Sequence, residues 1–356
     1  METARIAGDG VLKDVQAGLA QLDALCAHLA GGAAFRSKRD IGRVAGSLEA
    51  APAAVSRWRE RGERDGGKAR ILLGDDTAAI PDGDGHLLLA AEGILPNFLE
   101  RDPYFAGWCA VMVNVSDVAA MGGFPLALVD VYFHAGGADV EAVLAGVRDG
   151  CRAYGVPLVG GHTTRSEGGP NALAVAILGR AEHLLTSFGA LAGDDVVVGI
   201  DLRGSYHADF PFWNASKGRA SRDLRDDLAA LGTLAASGVV HACKDVSNAG
   251  VAGSLLMMLE ASGVGGVLEL DRLPRPAGVD LAAWLATFPS YGFVFAAAPE
   301  SSGWVLALLR ERGIACERVG RVDASSQLCL ASGDHESLLW DLARQPFTGF
   351  GPPRSS

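Results

Sequence analysis

Asp75 and Asp76 stand side by side in the segment GDDTAAI (Gly74–Ile80), directly after the apolar run ARILL. Adjacent carboxylates repel each other unless solvent or a cation compensates them. Hard oxygen ligands at the end of a strand suit Mg²⁺, which commonly joins one or two carboxylates to phosphate oxygens. A solvated Asp-Asp turn reads the same way, so the pair alone leaves both readings open. A third carboxylate, Asp117, sits in the apolar stretch VNVSDVAAMGGFP (Val113–Pro125). A helix over Phe105–Met121 puts Val111, Val115 and Val118 on one buried stripe and Asn114 and Asp117 on an adjacent face. Gly122-Gly123 supplies a left-handed stop and Pro125 prevents continuation. A buried Asp requires a hydrogen-bond partner or a metal, and the segment by itself does not choose between them.

Three further stretches carry candidate groups. In VGGHTTRSEGG, residues Gly160, Gly161, His162 and Thr163 read as a tight, donor-rich turn whose backbone can approach phosphate oxygens; a structural His in a glycine-rich hairpin is the plainer alternative. In KDVSNAGVAG, Ser247 or Asn248 can cap the helix that follows and leave Asp245 just before its positive end. In SYHADFPFWNASKGRASRD (Ser205–Asp223), His207, Trp213, Asn214 and Lys217 suit contacts to a small substrate, and a surface insertion or dimer loop explains them equally well. Lys38, in GGAAFRSKRDIG, can reach a phosphate, or be a solvated Lys.

The elements that must position these groups follow from pattern. The N-terminal region is helical by its spacing of Leu19, Leu22, Leu25 and Leu29. After the charged, Gly-rich connection RERGERDGGKAR come the β-compatible runs ARILLG, HLLLAA, LALVDVYF and ALAVAILGRA, with helices at Phe105–Met121 and Asp139–Tyr154. That order predicts an α+β layer with helices on one face. The Gly-Asp turn in GALAGDDVVVGIDLRG opens a second α/β set. The expected organisation is a helical extension (1–66), two α/β domains (67–188 and 189–345) with a cleft between them, and a tail (346–356).

With 356 residues and a formal net charge of −11, the chain is a poor match for a nucleic-acid backbone, which demands clustered Lys and Arg. No apolar run reaches the ~18–20 residues of a membrane span, and METARIAGDG lacks the basic and apolar regions of a secretory signal. A cytoplasmic protein is expected. The six cysteines are far apart, without a C-x-x-C pair, and suit buried thiols.

Taken in order, GDDTAAI, AAEGILPNFLERDPYFAG, VNVSDVAAMGGFPLALVDVYF, VGGHTTRSEGG, ALAVAILGRA, KDVSNAGVAG and FPSYGFVFA resemble the superfamily of aminoimidazole ribonucleotide (AIR) synthetase. That superfamily also holds thiamine-monophosphate kinase, selenophosphate synthetase and the hydrogenase maturation dehydratase. The match is nearest to its AIR synthase-related branch and runs from about Ala69 to Val322. The resemblance implies a ferredoxin-like N-terminal ATP-binding domain whose sheet pairs with that of a second copy into a barrel-like homodimer, and a C-terminal α/β sandwich domain. It implies ATP and Mg²⁺ between the domains, with a small metabolite phosphorylated or dehydrated. Asp75, Asp76 and Asp117 match metal-binding carboxylates, with Glu92 as a further ligand. Asp245 joins Asp75 and Asp117 as a catalytic group. Gly74, Asn114, Lys38 and the turn Gly160–Thr163 fall to the nucleotide.

The departures narrow the reading. Ala90-Ala91-Glu92 stands where several relatives have Thr-Thr-Asp, and Asn248 replaces the second Asp of the kinase sequence DISDG. The GEDYEL segment of thiamine-monophosphate kinases is absent, as are the reactive Cys of selenophosphate synthetases and the C-terminal Cys of the hydrogenase maturation protein. The expected function is therefore an ATP- and Mg²⁺-dependent enzyme acting on a small molecule, the alternative being a nucleotide-binding partner or scaffold without turnover.

Overall fold

The computed structural model describes residues 18–44, 74–165, 169, 171–207 and 210–351. The run ARILL, the connection RERGERDGGKAR and Pro352–Ser356 lie outside the described residues, as does most of the extension expected for 1–66.

The first sheet contains β1 (Ala78–Asp82), β2 (Gly85–Ile94), β3 (Phe124–His134), β4 (Leu158–Arg165) and β5 (Ala172–Ala181) in the order β1-β2-β5-β3-β4. β3 and β4 run parallel, joined by a helical crossover, and the other pairs are antiparallel. Gly160–Thr163, expected as a turn, are strand residues of β4 at the edge of this sheet. A Cβ on Gly161 would fall 1.7 Å from Asp130 Oδ1, so the glycine makes room for a carboxylate of the neighbouring strand. Its use here is packing between strands.

The helices of this half are α3 (Pro96–Arg101), α4 (Pro103–Ala120) and α5 (Ala138–Tyr154). Asp102 starts α4 by accepting a hydrogen bond from the Phe105 backbone N–H at 2.9 Å, with Pro103 in the first turn. The helix ends at Gly122, whose φ is +74°, as the sequence anticipates. Its burial differs from the expected stripe. Nearly every residue from Phe105 to Ala120 is buried, because α4 lies on the first sheet and also meets α5 and two elements of the second half. Glycines let α4 and α5 approach closely: a Cβ on Gly107 would lie 2.1 Å from the Val143 carbonyl oxygen, and one on Gly146 1.9 Å from that of Tyr104.

The opposite face of the first sheet is uncovered. Along β3, Leu128, Asp130 and Tyr132 are buried while Val129, Val131 and Phe133 are exposed, the period of two that a strand imposes; Phe124 and Leu126, at the register shift around Pro125–Ala127, are exposed as well. Within one chain the sheet is open, not a closed barrel.

The second sheet has seven strands in the order β14-β13-β10-β12-β6-β11-β9. These are β6 (Asp195–Ile200), β9 (Val240–Asp245), β10 (Gly265–Glu269), β11 (Gly292–Ala297), β12 (Ala315–Asp323), β13 (Gln327–Ser332) and β14 (His335–Asp341). Val197 of β6 packs toward α6 (Ser221–Ser237) and α9 (Pro299–Glu311), whereas Val196, Val198 and Ile200 pack toward α7 (Gly250–Ser262). A two-stranded ribbon, β7 (Ser205–Tyr206) with β8 (Trp213–Asn214), and the short α8 (Leu281–Leu285) complete this half.

Both chain ends add to this second core. The helical residues 18–31 (α1) and α2 (Ala33–Arg39) contribute Leu22, Cys26, Leu29 and Phe35 to it. Phe35 meets the rings of Phe347 at 5.2 Å and Trp340 at 6.2 Å. The expected tail from 346 is in part an ordered segment. Buried Glu260 accepts from the backbone N–H groups of Phe347, Thr348 and Gly349 (2.7, 2.6 and 3.2 Å) and from the Thr348 hydroxyl at 2.6 Å. A carboxylate that accepts from that many donors holds a short segment firmly. Among the described residues no helix is long and apolar enough to cross a membrane.

Candidate functional site

Asp76 stands two residues before β1, Asp117 is on the last turn of α4, and Asp245 ends β9. Three separate elements thus deliver three carboxylates to one point, where one oxygen of each lies within 4.8 Å of the others. Asp117 Oδ2 and Asp245 Oδ1 are buried and have no hydrogen-bond partner. The Asp245 backbone N–H donates to Asp76 Oδ2 at 3.2 Å, and the Lys244 ammonium pairs with Asp76 Oδ1. Hard, buried, mutually close oxygens with unused lone pairs are a fitting donor set for Mg²⁺.

The electrostatics follow from this crowding. Burial, then the carboxylates of Asp245, Glu92 and Asp76, raise Asp117 well above the ordinary Asp range. Asp245 is pushed up to about 8, first by burial and then by Asp76. Burial acts to lower the Lys244 pKa, but Asp76, Asp75 and Asp245 outweigh it and hold the ammonium charged. The protein supplies less positive than negative charge at this point, and a cation would restore the balance.

Asp75 is placed differently from its neighbour. Its carboxylate accepts from the Ser187 N–H at 2.7 Å, the Ser187 hydroxyl at 2.6 Å and the Asp76 N–H at 2.9 Å. Burial and Asp76 raise it to about 6. Its bonds fix the loop that carries Asp76, and the carboxylate group converging with Asp117 is completed by Asp245 in its stead. Of the expected metal set of Asp75, Asp76, Asp117 and Glu92, the structure thus brings Asp76 and Asp117 together, with Asp245 beside them.

The cluster opens into a cleft of about 440 Å³ that Lys38, Gly74, Asp75, Glu92, Ser247 and Asn248 also line. Glu92, on β2, stands exposed at this cleft and outside the close triad. Lys38 arrives on α2 and donates to the Ser247 hydroxyl at 3.2 Å; next to it, Asn248 Nδ2 donates to Ser37 Oγ at 3.1 Å. Burial, then Lys244, lower the Lys38 pKa. Gly74 has φ +92°, and a Cβ there would strike the Phe350 ring. The C-terminal segment anchored on Glu260 therefore reaches the cleft through Thr348 and Phe350.

Other expected residues are not part of this cleft within the chain. Asn114 is fully buried, with Nδ2 bonded back to the Ala110 carbonyl at 2.8 Å. Gly160, Gly161, His162 and Thr163 lie on the exposed edge strand. The proposed substrate contacts of the 205–223 stretch are engaged elsewhere: His207 with Asp102 at 2.7 Å, Trp213 Nε1 with the Asp201 carbonyl at 2.8 Å, Asn214 capping Lys217 N at 2.9 Å, and Lys217 Nζ over the Tyr104 ring at 4.8 Å. What that stretch does bring to the cleft is Phe212, beside Phe98 and Phe288. Sequence patterning gave no signal for Ser187 or the aromatic group; Lys244 could be suspected only as the basic neighbour of Asp245.

Residues 74–181 match the model of the AIR synthase related protein N-terminal domain, and residues 207–330 that of its C-terminal domain. The protein sll0787 of Synechocystis sp. is 42% identical over 281 residues, 79% of this chain and 87% of its own. The thiamine-monophosphate kinase of Halobacterium salinarum is 35% identical over 208 residues, 56% of this chain and 69% of its own. Among solved structures, T. maritima PurL complexed with ADP shares the fold with a TM-score of 0.66 at 18% identity, over 78% of this chain and 47% of that one, so this chain spans about half of PurL. On the match of both domain models in order, and on a relative similar over most of its length, the chain belongs to the AIR synthase related protein family.

Proposed function

We propose that this protein is an ATP- and Mg²⁺-dependent enzyme that phosphorylates or dehydrates a small metabolite in the cleft between its two halves. The observation that carries the reading is the convergence of Asp76, Asp117 and Asp245, with two buried oxygens unused by any hydrogen bond. A kinase among the relatives and the ADP named with PurL support it.

In this reading Asp76, Asp117 and Asp245 would hold Mg²⁺, which supplies positive charge against the phosphate oxygens and lets negative charge shift during transfer. Asp75, through Ser187, keeps the Asp76 loop in place. Lys244 orients the Asp76 carboxylate. Lys38, bonded to a neutral hydroxyl, can exchange that partner for a phosphate oxygen. Catalysis would rest on positioning and electrostatics, the general case for phosphoryl transfer.

The exposed apolar face of the first sheet supports a homodimer in which two such faces close on each other. A phosphate role for Gly160–Thr163 would then be exercised toward a second copy, since β4 stands at the sheet edge and not in the cleft of its own chain. The test of the activity is a metabolite screen for release of ADP, AMP or phosphate from ATP by the purified protein, with Asp117→Asn as control. Turnover lost in the variant supports an enzyme; tight ATP binding without turnover across the screen supports the nucleotide-binding partner.

A further inference from the structure

The cleft has two unlike ends. One holds the carboxylates and lysines described above. The other is built from Leu95, Phe98, Cys109, Val113, Phe212 and Phe288. Phe98 comes from α3 of the first half, and Phe212 and Phe288 come from the second. The rings of Phe98 and Phe212 meet at 4.9 Å and 69°, and those of Phe212 and Phe288 at 4.9 Å and 71°, both edge to face. Phe210 stacks behind Phe212 at 5.0 Å and 5°. This is a braced aromatic wall, and Phe288 is only half buried in it.

α4 links the two ends. Cys109, Val113 and Asp117 are spaced four apart along it, so they line the cleft on one helical face. At 1.5 Å per residue, Val113 and Cys109 stand about 6 Å and about 12 Å along the helix from Asp117. That is the length of a small metabolite with one end at the metal site.

From these features we infer that the apolar end receives a planar aromatic or heteroaromatic ring carried by the acceptor substrate. The inference rests on the reading of the carboxylate end as the Mg-ATP site. Apart from the Cys109 thiol, the wall's side chains offer no hydrogen-bonding atoms. Selecting a purine takes polar groups placed at its ring nitrogens and exocyclic amine, and the wall supplies no side-chain partner for them beyond the thiol. A ring with a largely apolar edge needs no such partners, and aromatic faces favour it over a saturated ring. Because the wall draws on both halves, a bound ring would also bridge them.

The experiment uses indole as the probe and cyclohexanol as the non-planar control, titrated by ligand-observed NMR into the protein saturated with Mg²⁺ and AMPPCP. Indole is expected to bind and cyclohexanol to bind several-fold more weakly. Phe288→Leu, which keeps apolar volume, should weaken indole by about 3- to 10-fold, the range of an aromatic pair. Phe288→Tyr should restore it, and Mg²⁺·AMPPCP affinity should be the same in all three proteins. No indole binding, or binding unchanged in Phe288→Leu, overturns the inference. Displacement of indole by AMPPCP or adenosine also overturns it, since the wall would then belong to the nucleotide. If AMPPCP itself fails to bind, the ATP reading falls separately, and indole titrated into the nucleotide-free protein still tests the wall.

Discussion

The Lys244 ammonium lies against the Asp76 carboxylate in a pair whose side chains are only 8% and 5% exposed. One charge of this pair cannot be removed cheaply. With Lys244→Met, Asp76 would lose its paired ammonium and face Asp117 and Asp245 with Lys38 left to offset them. Breaking a buried pair typically costs about 3–5 kcal/mol. Urea unfolding should show a loss of that order, and Mg²⁺ should recover part of it. A loss below about 1 kcal/mol, the range of exposed pairs, would mean the pair is effectively solvated.

The metal-free protein should lose stability as pH rises. The folded-state pKa of Asp245 is about 8, against 3.8 for an ordinary Asp, and that of Asp117 is shifted the same way. The folded chain therefore keeps protons that the unfolded chain releases, and stability falls between those two values. Mg²⁺ needs the deprotonated carboxylates, so its stabilising effect should grow over the same window. Thermal melts at pH 6 and pH 8.5, with and without Mg²⁺, check both signs; a larger Mg²⁺ effect at pH 6 contradicts them.

Glu260→Gln should release the C-terminal segment. Four donors from residues 347–349 converge on this carboxylate, and hydrogen bonds to a charged group contribute about 1.5–3 kcal/mol each. Limited proteolysis should cut the variant within 346–351 well before the parent protein. Equal resistance would show that Phe347, packed on Phe35 and Trp340, suffices by itself.

The open sheet face gives a prediction about assembly. Val131 and Phe133 are 41% and 40% exposed on the same side of β3, so Val131→Glu with Phe133→Glu should leave the chain folded and shift it to a monomer in sedimentation. A parent protein that sediments as a monomer removes the dimer from the reading.

Much of this architecture was legible in local pattern. The strands β2, β3 and β5, the helices α4 and α5 and the stop of α4 at Gly122 follow from period and turn chemistry, whereas β1 (Ala78–Asp82) falls within GDDTAAI and beyond it, past the run expected as the first strand. Asp76, Asp117 and Asp245 were each visible as acids in awkward places, and only the fold shows that they meet. Asp75 looked equivalent to Asp76, because neighbouring carboxylates give no clue to which one Ser187, more than a hundred residues on, will occupy. Gly160–Gly161 read as a turn, whereas the glycines serve a strand crowded by Asp130. The docking of Phe35 on Phe347, and of residues 347–349 on Glu260, joins the two ends of the chain to the second core; no local periodicity encodes contacts at that separation. In the 205–223 stretch the polar groups are engaged by one another and by their neighbours, and it is Phe212 that reaches the cleft.

The most direct test of the central claim is calorimetric titration of AMPPCP, with and without Mg²⁺, into the parent protein and Asp117→Asn. The variant should fold at least as well without metal, because it removes a buried carboxylate that is costly to ionise. Mg²⁺ should tighten AMPPCP binding in the parent, and that gain should fall by more than about tenfold in the variant, the scale on which metal affinity responds to changes around a site. An equal Mg²⁺-dependent gain in both proteins would contradict a metal centre at Asp76, Asp117 and Asp245.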